Sequence, residues 1–230
     1  PFEAIAEMWP TEASADDVQP LVAELVRLNL VKVEPGAHGV KYSLLETVRH
    51  FAQRRASEAQ EFDDASRRHR NWFLQWSEAP PVVERSATLT RALAQEEQIG
   101  NLRAALNFSA ASGELRSMAR QTWSMAALWW MTGRGEEGLE WLRRSESAIE
   151  NESDRALHHF VRMAAAFAAQ DWKEFFQARE HCLEVAEQPA DEVEALALGL
   201  CGVSMLGDPE GGLDLIDRAL GDRADIRRQR

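Results

Sequence analysis

A fixed period of 37 residues in the second half of the chain is the sequence feature that most limits the fold. When Arg134, Asp171 and Asp208 are aligned, residues of the same kind coincide at other offsets. The coinciding sets are two apolar ones, Trp129 with Ala166 and Val203 and Leu139 with Phe176 and Leu213, and a small one, Ser145 with Cys182 and Ala219. Repeats of roughly 20 to 50 residues stack as solenoids, because one helix pair cannot bury its own apolar face. The period therefore predicts stacked helix pairs.

Short loops between long helical segments favour the same architecture. From about Phe62 onward the chain has helical texture, interrupted by "APP", "ASGE", "TGRG", "QPAD" and "GDPEGG". Helices joined by such short loops pair antiparallel, as in bundles and α-solenoids. The segment "GDPEGGLDLIDRAL" is similar to the second helix of a tetratricopeptide repeat, whose usual period is about 34 residues. We therefore predict an α-α superhelix of TPR-like repeats over residues 61–230.

Residues 1–60 have a mixed pattern that predicts a small separate module. Two helical segments, "FEAIAEMW" and "DDVQPLVAELVRLNLV", come first. Apolar and polar residues then alternate on both sides of the turn sequence "PGAHG", which is typical of a β-hairpin. The stretch "YSLLETVRHFAQRR" changes from alternation to helical spacing, so the second strand runs directly into a helix. Helices, a two-stranded wing and a further helix indicate a winged-helix-like regulatory module in a mainly α protein.

Charge and composition limit the kinds of partner and the cellular compartment that we expect for this chain. The net charge is −12, and acidic side chains outnumber basic ones within residues 1–60. We therefore expect no direct contact with nucleic acid, because basic patches supply most of the affinity for phosphates. Two cysteines, Cys182 and Cys201, favour reduced thiols over a disulfide framework. No signal peptide is visible, and the most apolar run, residues 125–131, is too short to span a membrane. We expect a cytoplasmic protein without a membrane partner.

The titratable residues do not form a catalytic pattern in the sequence. Gly202, Ser204 and Gly207 approach the spacing of a nucleophile elbow, but the second gap is too long and the context is helical. His158 and His159 are adjacent, so on a helix they diverge, and no cysteine or histidine spacing indicates zinc. We expect no enzyme activity, no metal and no cofactor in this chain.

One constellation of residues predicts a binding groove in the repeats. Trp123 and Phe160 lie one period apart, and so do Trp130 and Phe167. Aromatic side chains dominate interface anchoring, so four of them along a groove would suit an apolar peptide or a small effector. The alternative is that they are ordinary core residues between helices. The full candidate groove for a protein or small-effector partner consists of Arg120, Trp123, Trp130, Phe160, Phe167, Glu194 and Met205.

Four stretches in order give the chain a family resemblance. They are "VAELVRLNLVKVE…KYSLLETVRHFAQRR", "RRHRNWFLQWSE" with His69, "EEQIGNLRAALNFSAASGE" with residues 101–106, and "MAALWWMTGRGEEGLEWL" with residues 129–142. Together they span roughly residues 18 to 150. They resemble the segment that follows the nucleotide-binding domain in bacterial signal-transducing ATPases of the STAND class. Many of these are large transcriptional regulators with LuxR-type or SARP-type DNA-binding domains.

The resemblance implies a regulatory function that depends on a domain outside this chain. In the family a P-loop ATPase lies upstream, whereas this sequence contains no G-x-x-x-x-G-K-[ST] motif. A start without methionine and an end in "DIRRQR" fit a piece of a longer protein. We therefore expect a non-catalytic fragment of a STAND-type regulator. Its repeats would sense a partner or effector, and its winged module would relay that state to the upstream nucleotide-binding domain.

Two other interpretations remain open on the sequence alone. The chain could be a stand-alone TPR-like adaptor that only scaffolds other proteins. It could also be an enzyme with a site inside a helical bundle, although no titratable groups converge in the sequence. The sequence immediately upstream of Pro1 distinguishes the first alternative from the regulator, since a P-loop there would exclude an independent adaptor.

Overall fold

The computed structural model describes residues 2–9, 15–36, 39–78, 85–185 and 210–213. Within these ranges the backbone is helical except for one antiparallel β-hairpin, which confirms the mainly α fold with an early hairpin. The chain divides into two compact units, Pro1–Glu114 (unit 1) and Leu115–Arg230 (unit 2). The predicted division near residue 60, between a winged-helix-like module and the repeats, stays a prediction.

Unit 1 contains six helices and the hairpin in its described part. In chain order they are α1 (Phe2–Glu7), α2 (Ala15–Arg27), β1 (Val31–Gly36), β2 (Gly39–Leu44), α3 (Glu46–Glu58), α4 (Phe62–Ser77), α5 (Arg85–Glu97) and α6 (Ile99–Ala111). Helix α1 contacts both α2 and β2, and α2 contacts β1. Helix α4 packs on α6, which also contacts α5.

The hairpin separates apolar from polar side chains by its register. Val31 pairs with Leu44, Val33 with Tyr42 and Pro35 with Val40, and these pairs share one face because directly opposed residues point the same way. The pairs between them, Lys32 with Ser43 and Glu34 with Lys41, form the other face. The ring of Phe2 lies 6.4 Å from that of Tyr42, so α1 covers part of the apolar face.

The packing of α4 on α6 brings two of the sequence motifs together. Phe73 and Leu102 are buried in this contact. His69 Nε2 lies 3.4 Å from the side-chain oxygen of Asn101, and burial lowers the pKa of His69. The guanidinium of Arg70, almost completely buried, donates to the Glu114 carboxylate after α6. The Glu114 side chain is 37% exposed, so the ion pair is buried only at its arginine, and it connects α4 with the loop that follows α6.

Unit 2 is built from helix pairs whose boundaries repeat. Its described elements are α7 (Leu115–Ser124), α8 (Ala126–Met131), α9 (Gly135–Ser145), a 3-10 turn (Glu146–Ala148), α10 (Glu152–Ala169) and α11 (Trp172–Val185), and residues 210–213 are helical as well. Helices α7 and α10 start 37 residues apart, and so do α9 and α11. The turns before α9 and α11 contain the left-handed residues Gly133 and Gln170, which are separated by the same interval.

The helices of unit 2 approach one another closely at two glycines. A Cβ atom at Gly138 would lie 2.7 Å from Cγ of Trp129, a fully buried residue whose indole N–H donates to the carbonyl of Thr122. A Cβ atom at Gly135 would overlap the carbonyl oxygen of Ala165 and the backbone nitrogen of Ala169. Glycine at these positions therefore lets α9 lie directly against Trp129 of α8 and the backbone of α10.

Replacing Gly135 by Ala is expected to destabilise the protein by about 2 kcal/mol or more, because backbone atoms of α10 cannot move aside cheaply. Gly100 in α6 is the control, since a Cβ atom there meets nothing within 4 Å. Gly100→Ala should be neutral or stabilise by roughly 0.5–1 kcal/mol through helix propensity. Urea unfolding followed by circular dichroism measures both variants. Equal stability of Gly135→Ala and the parent chain would contradict this packing.

Candidate interaction surfaces

Helix α2 carries two apolar stripes, and only one of them is buried. Val18 and Val22 are buried against the rest of unit 1. Leu21, Leu25 and Leu28 recur at four and three residues on the neighbouring stripe and are exposed. The structure shows that the helix has more apolar surface than unit 1 covers.

The apolar face of the hairpin is also largely open. Val33 and Val40 remain 46% and 49% exposed, respectively, although both lie on the apolar side of the sheet. We define the unit 1 surface as the exposed leucines of α2 and of the residue that follows it, together with these two hairpin valines, namely Leu21, Leu25, Leu28, Val33 and Val40. Exposed apolar residues are common one at a time, but a set on two contacting elements is typical of an interaction site.

Helix α3, which follows the hairpin, buries none of its side chains. Its Phe51 is exposed, with the guanidinium carbon of Arg54 located 5.7 Å from the ring centre. Several of its charges pair within the helix, including Arg49 with Glu46 at 3.0 Å and Arg55 with Glu58 at 2.9 Å. Exposed pairs of this kind add little stability. Unit 1 therefore holds α3 only weakly.

Unit 2 has an aromatic surface at the turn between α10 and α11 and at the end of α8. We define it as Trp130, Phe167, Trp172 and Phe176, all roughly half exposed. The rings of Phe167 and Trp172 meet edge to face with their centres 5.8 Å apart. The buried ring of Phe175 contacts the rings of Phe167, Trp172 and Phe176. Three of the four exposed rings are thus held in place by a common buried neighbour.

The structure gives the predicted groove residues different environments. Trp123 is only 5% exposed, which is the core role that the sequence analysis left open, and Phe160 is partly buried. Trp130 and Phe167 are exposed, and so is Arg120. The two remaining members, Glu194 and Met205, lie outside the described residues. A continuous groove through all seven residues stays a prediction.

Sequence reasoning missed Trp172 and Phe176 as surface residues. In the 37-residue period Phe176 aligns with Leu139 and Leu213 as a coinciding apolar position, which by itself does not distinguish a buried residue from an exposed one. Leu139 is indeed buried, whereas Phe176 is exposed. The aromatic pattern "DWKEFF" after Phe167 was the available signal, because three rings within five residues exceed what one helical core face needs.

A row of three histidines crosses from α10 to α11. His158 is fully buried, and its Nδ1 accepts a hydrogen bond of 3.3 Å from the indole N–H of Trp123. The His159 ring lies edge to face with His158 at 5.7 Å and stacks on His181 at 4.5 Å. His181 Nδ1 lies 3.2 Å from the Glu184 carboxylate. We call these three residues the imidazole row.

The structure locates no membrane span and no metal cluster in its described part. None of the described helices has both the length and the apolar character that a bilayer crossing requires. Within the same residues, His, Cys, Asp and Glu side chains form no group of three or more that could hold a metal ion.

Comparisons with known proteins return no relative: no family model, no curated protein and no solved structure matches the chain.

A pair of neighbouring residues tests the two stripes of α2. Val22→Ala removes buried methyl groups and should cost about 1–2 kcal/mol of unfolding free energy. Leu21→Ala removes more atoms but from a half-exposed position, so it should cost less than about 0.5 kcal/mol. Thermal or urea unfolding of both variants gives the comparison. A larger loss for Leu21→Ala would show that the leucine stripe is core.

Proposed function

We propose that this chain is a non-catalytic regulatory and protein-interaction part of a STAND-type ATPase transcriptional regulator. In this proposal the helical repeats of unit 2 sense a protein or small effector. The winged-helix-like module at the start of the chain relays the state of the repeats to an upstream nucleotide-binding domain. The motif resemblance over residues 18 to 150 suggests the family, and the exposed apolar side chains of unit 1 support the interaction.

The unit 1 surface is the observation that carries the proposal. Folded domains normally bury apolar stripes, since each fully buried large side chain contributes about 1.5–3 kcal/mol. Here Leu21 and Leu25 of α2 and Leu28 just after it remain exposed, and so do Val33 and Val40 of the hairpin that α2 contacts. A second domain packed on this area would recover that stabilisation. In the proposed regulator this second domain is the nucleotide-binding domain.

Helix α3 supports a role in relaying a conformational state. It connects the hairpin to α4 and buries no side chain of its own. Segments with few buried apolar contacts change position at low cost in free energy. A partner that binds one arrangement of such a segment more tightly than another shifts the equilibrium between them. We place the movable element of the module at α3 for this reason.

The aromatic surface supports the sensing role of unit 2. Trp130, Phe167, Trp172 and Phe176 present large rings to the outside, and tryptophan in particular is enriched among interface hot spots. Helix pairs that recur every 37 residues would present such rings at regular positions, as TPR-like repeats do. The ligand class that fits is an apolar peptide segment or an apolar small effector.

The chain alone is expected to bind no ATP, because its sequence lacks the P-loop that holds phosphates. Isothermal titration of the purified chain with Mg-ATP should give no heat of binding at millimolar nucleotide. The control is a longer chain that includes the upstream residues, which should bind. Micromolar affinity in the chain alone, or the absence of a P-loop upstream, would contradict the proposal, and the second result would favour an independent adaptor.

Neighbouring residues on opposite faces of the hairpin test the docking of the nucleotide-binding domain. Val33→Ser changes the apolar face and should weaken binding of the separately expressed upstream domain at least tenfold. Lys32→Ser changes the opposite face of the same strand and should alter the affinity less than twofold. Surface plasmon resonance gives both dissociation constants. Equal effects of the two substitutions would show that the apolar face is not the docking surface.

A further inference from the structure

In the described part of unit 2, the imidazole row is a group of titratable side chains that the proposed function does not use. It joins three helices, since Trp123 on α7 donates to His158 on α10, and His159 on α10 stacks on His181 of α11. Helix α10 contacts both of these neighbours. Any change in the charge of the row therefore occurs at the place where the helices of this unit meet.

The hydrogen bond from Trp123 determines which ring nitrogen of neutral His158 carries the proton. An indole N–H is only a donor, so Nδ1 of His158 must carry the lone pair, and a neutral ring then carries its proton on Nε2. Among the described residues that Nε2 has no hydrogen-bond partner, and Nδ1 of His159 has none either. Protonation of His158 at Nδ1 would remove the acceptor for Trp123 and place a full charge in a buried site.

The arginines around the imidazole row make protonation of its rings unfavourable. On α10 itself, Arg162 acts on both His158 and His159, and Arg155 acts on His159. The one opposing carboxylate that acts on His159 is Glu184 of α11.

Several carboxylates on the elements packed against α10 are already paired with arginine. Arg162 contacts Glu174 of α11 and lies 3.7 Å from Glu146 of the 3-10 turn. On α7, Arg116 pairs with Asp154 while its guanidinium lies 5.5 Å from the Trp123 ring. These carboxylates are therefore less available to a charged imidazole.

We propose that the imidazole row is an acid-sensitive device: in its neutral form it holds α10 against α7 and α11, and proton uptake at His158 and His159 loosens these contacts. The ligand of the device is the proton itself. Loosening at α10 also reaches Phe167, the member of the aromatic surface that lies on the same helix and contacts Trp172. The inference stands on the geometry of unit 2 and does not require that the proposed regulator is correct.

The direction of the pH dependence follows from the pKa values. Burial, with further contributions from His159 and Arg162, lowers the pKa of His158 from 6.5 to about 4. Burial lowers the pKa of His159 to about 4 as well, helped by His181, Arg162 and Arg155. An unfolded chain binds these protons near pH 6.5, so it binds more protons than the folded chain between about pH 6.5 and 4. Stability is full above pH 6.5 and is lost as the pH falls through this window.

The test uses the full chain and two readouts. Proton NMR of the six histidine rings during a titration from pH 8 to 4.5 should show that His158 and His159 still resist protonation below pH 5. Urea unfolding over the same range should show that the unfolding equilibrium constant rises as the pH falls, by up to about tenfold per pH unit for each of the two protons. Midpoints of both rings between pH 6 and 7 would overturn the proposal.

Substitutions separate the row from other acid-sensitive groups. His158→Gln keeps a polar side chain but cannot take up a proton, so it should reduce the pH dependence of unfolding by up to about tenfold per pH unit. His50→Gln is the matched control, because it makes the same substitution at an exposed position on α3 of unit 1, where the ring lies 3.1 Å from Glu46, and it should change the pH dependence less than His158→Gln does. An unchanged profile in a folded His158→Gln variant contradicts the device. If that variant does not fold, the ring titration of the parent chain decides.

Discussion

The direct approach of helix backbones in unit 2 is the constraint on which the rest of that unit depends. Gly135 lets α9 lie against the backbone of α10, and Gly138 lets it lie against the fully buried indole of Trp129. Trp123, Trp141 and Phe175 are buried as well, whereas Trp130 and Phe167 are exposed and available to another molecule. The packing of the helix pairs therefore decides which aromatic side chains are buried and which form the surface.

Unit 1 shows the opposite balance between buried and exposed apolar surface. Helix α4 packs on α6 through buried side chains, among them Phe73, Leu102 and Arg70, whose guanidinium pairs with Glu114. The hairpin and α2 retain exposed apolar stripes, and α3 buries no side chain. A unit that is tightly packed in one half and open in the other is suited to docking, because binding supplies the burial that folding leaves incomplete.

Much of the backbone could be predicted from the sequence, whereas the orientation of individual side chains could not. The 37-residue period anticipates the spacing of the helix starts at Leu115 and Glu152, because loops and helix lengths repeat together. Alternation of apolar and polar residues on both sides of "PGAHG" predicts the hairpin, because neighbouring residues alone determine the strand and turn patterns. Periodicity does not tell Val22 from Leu21, since both lie on apolar stripes of α2 and neighbouring elements decide which stripe is buried. The different environments of Trp123 and Trp130 have the same cause.

The central claim is that the apolar side of α2 and the hairpin forms contacts with an upstream domain of the same protein. Amide hydrogen exchange of this chain, measured alone and within a longer chain that includes the upstream residues, tests the claim most directly. The account predicts at least tenfold slower exchange in residues 15–27, 31–36 and 39–44 of the longer chain, with no change in residues 99–111. Unchanged exchange in the hairpin and α2 would contradict it.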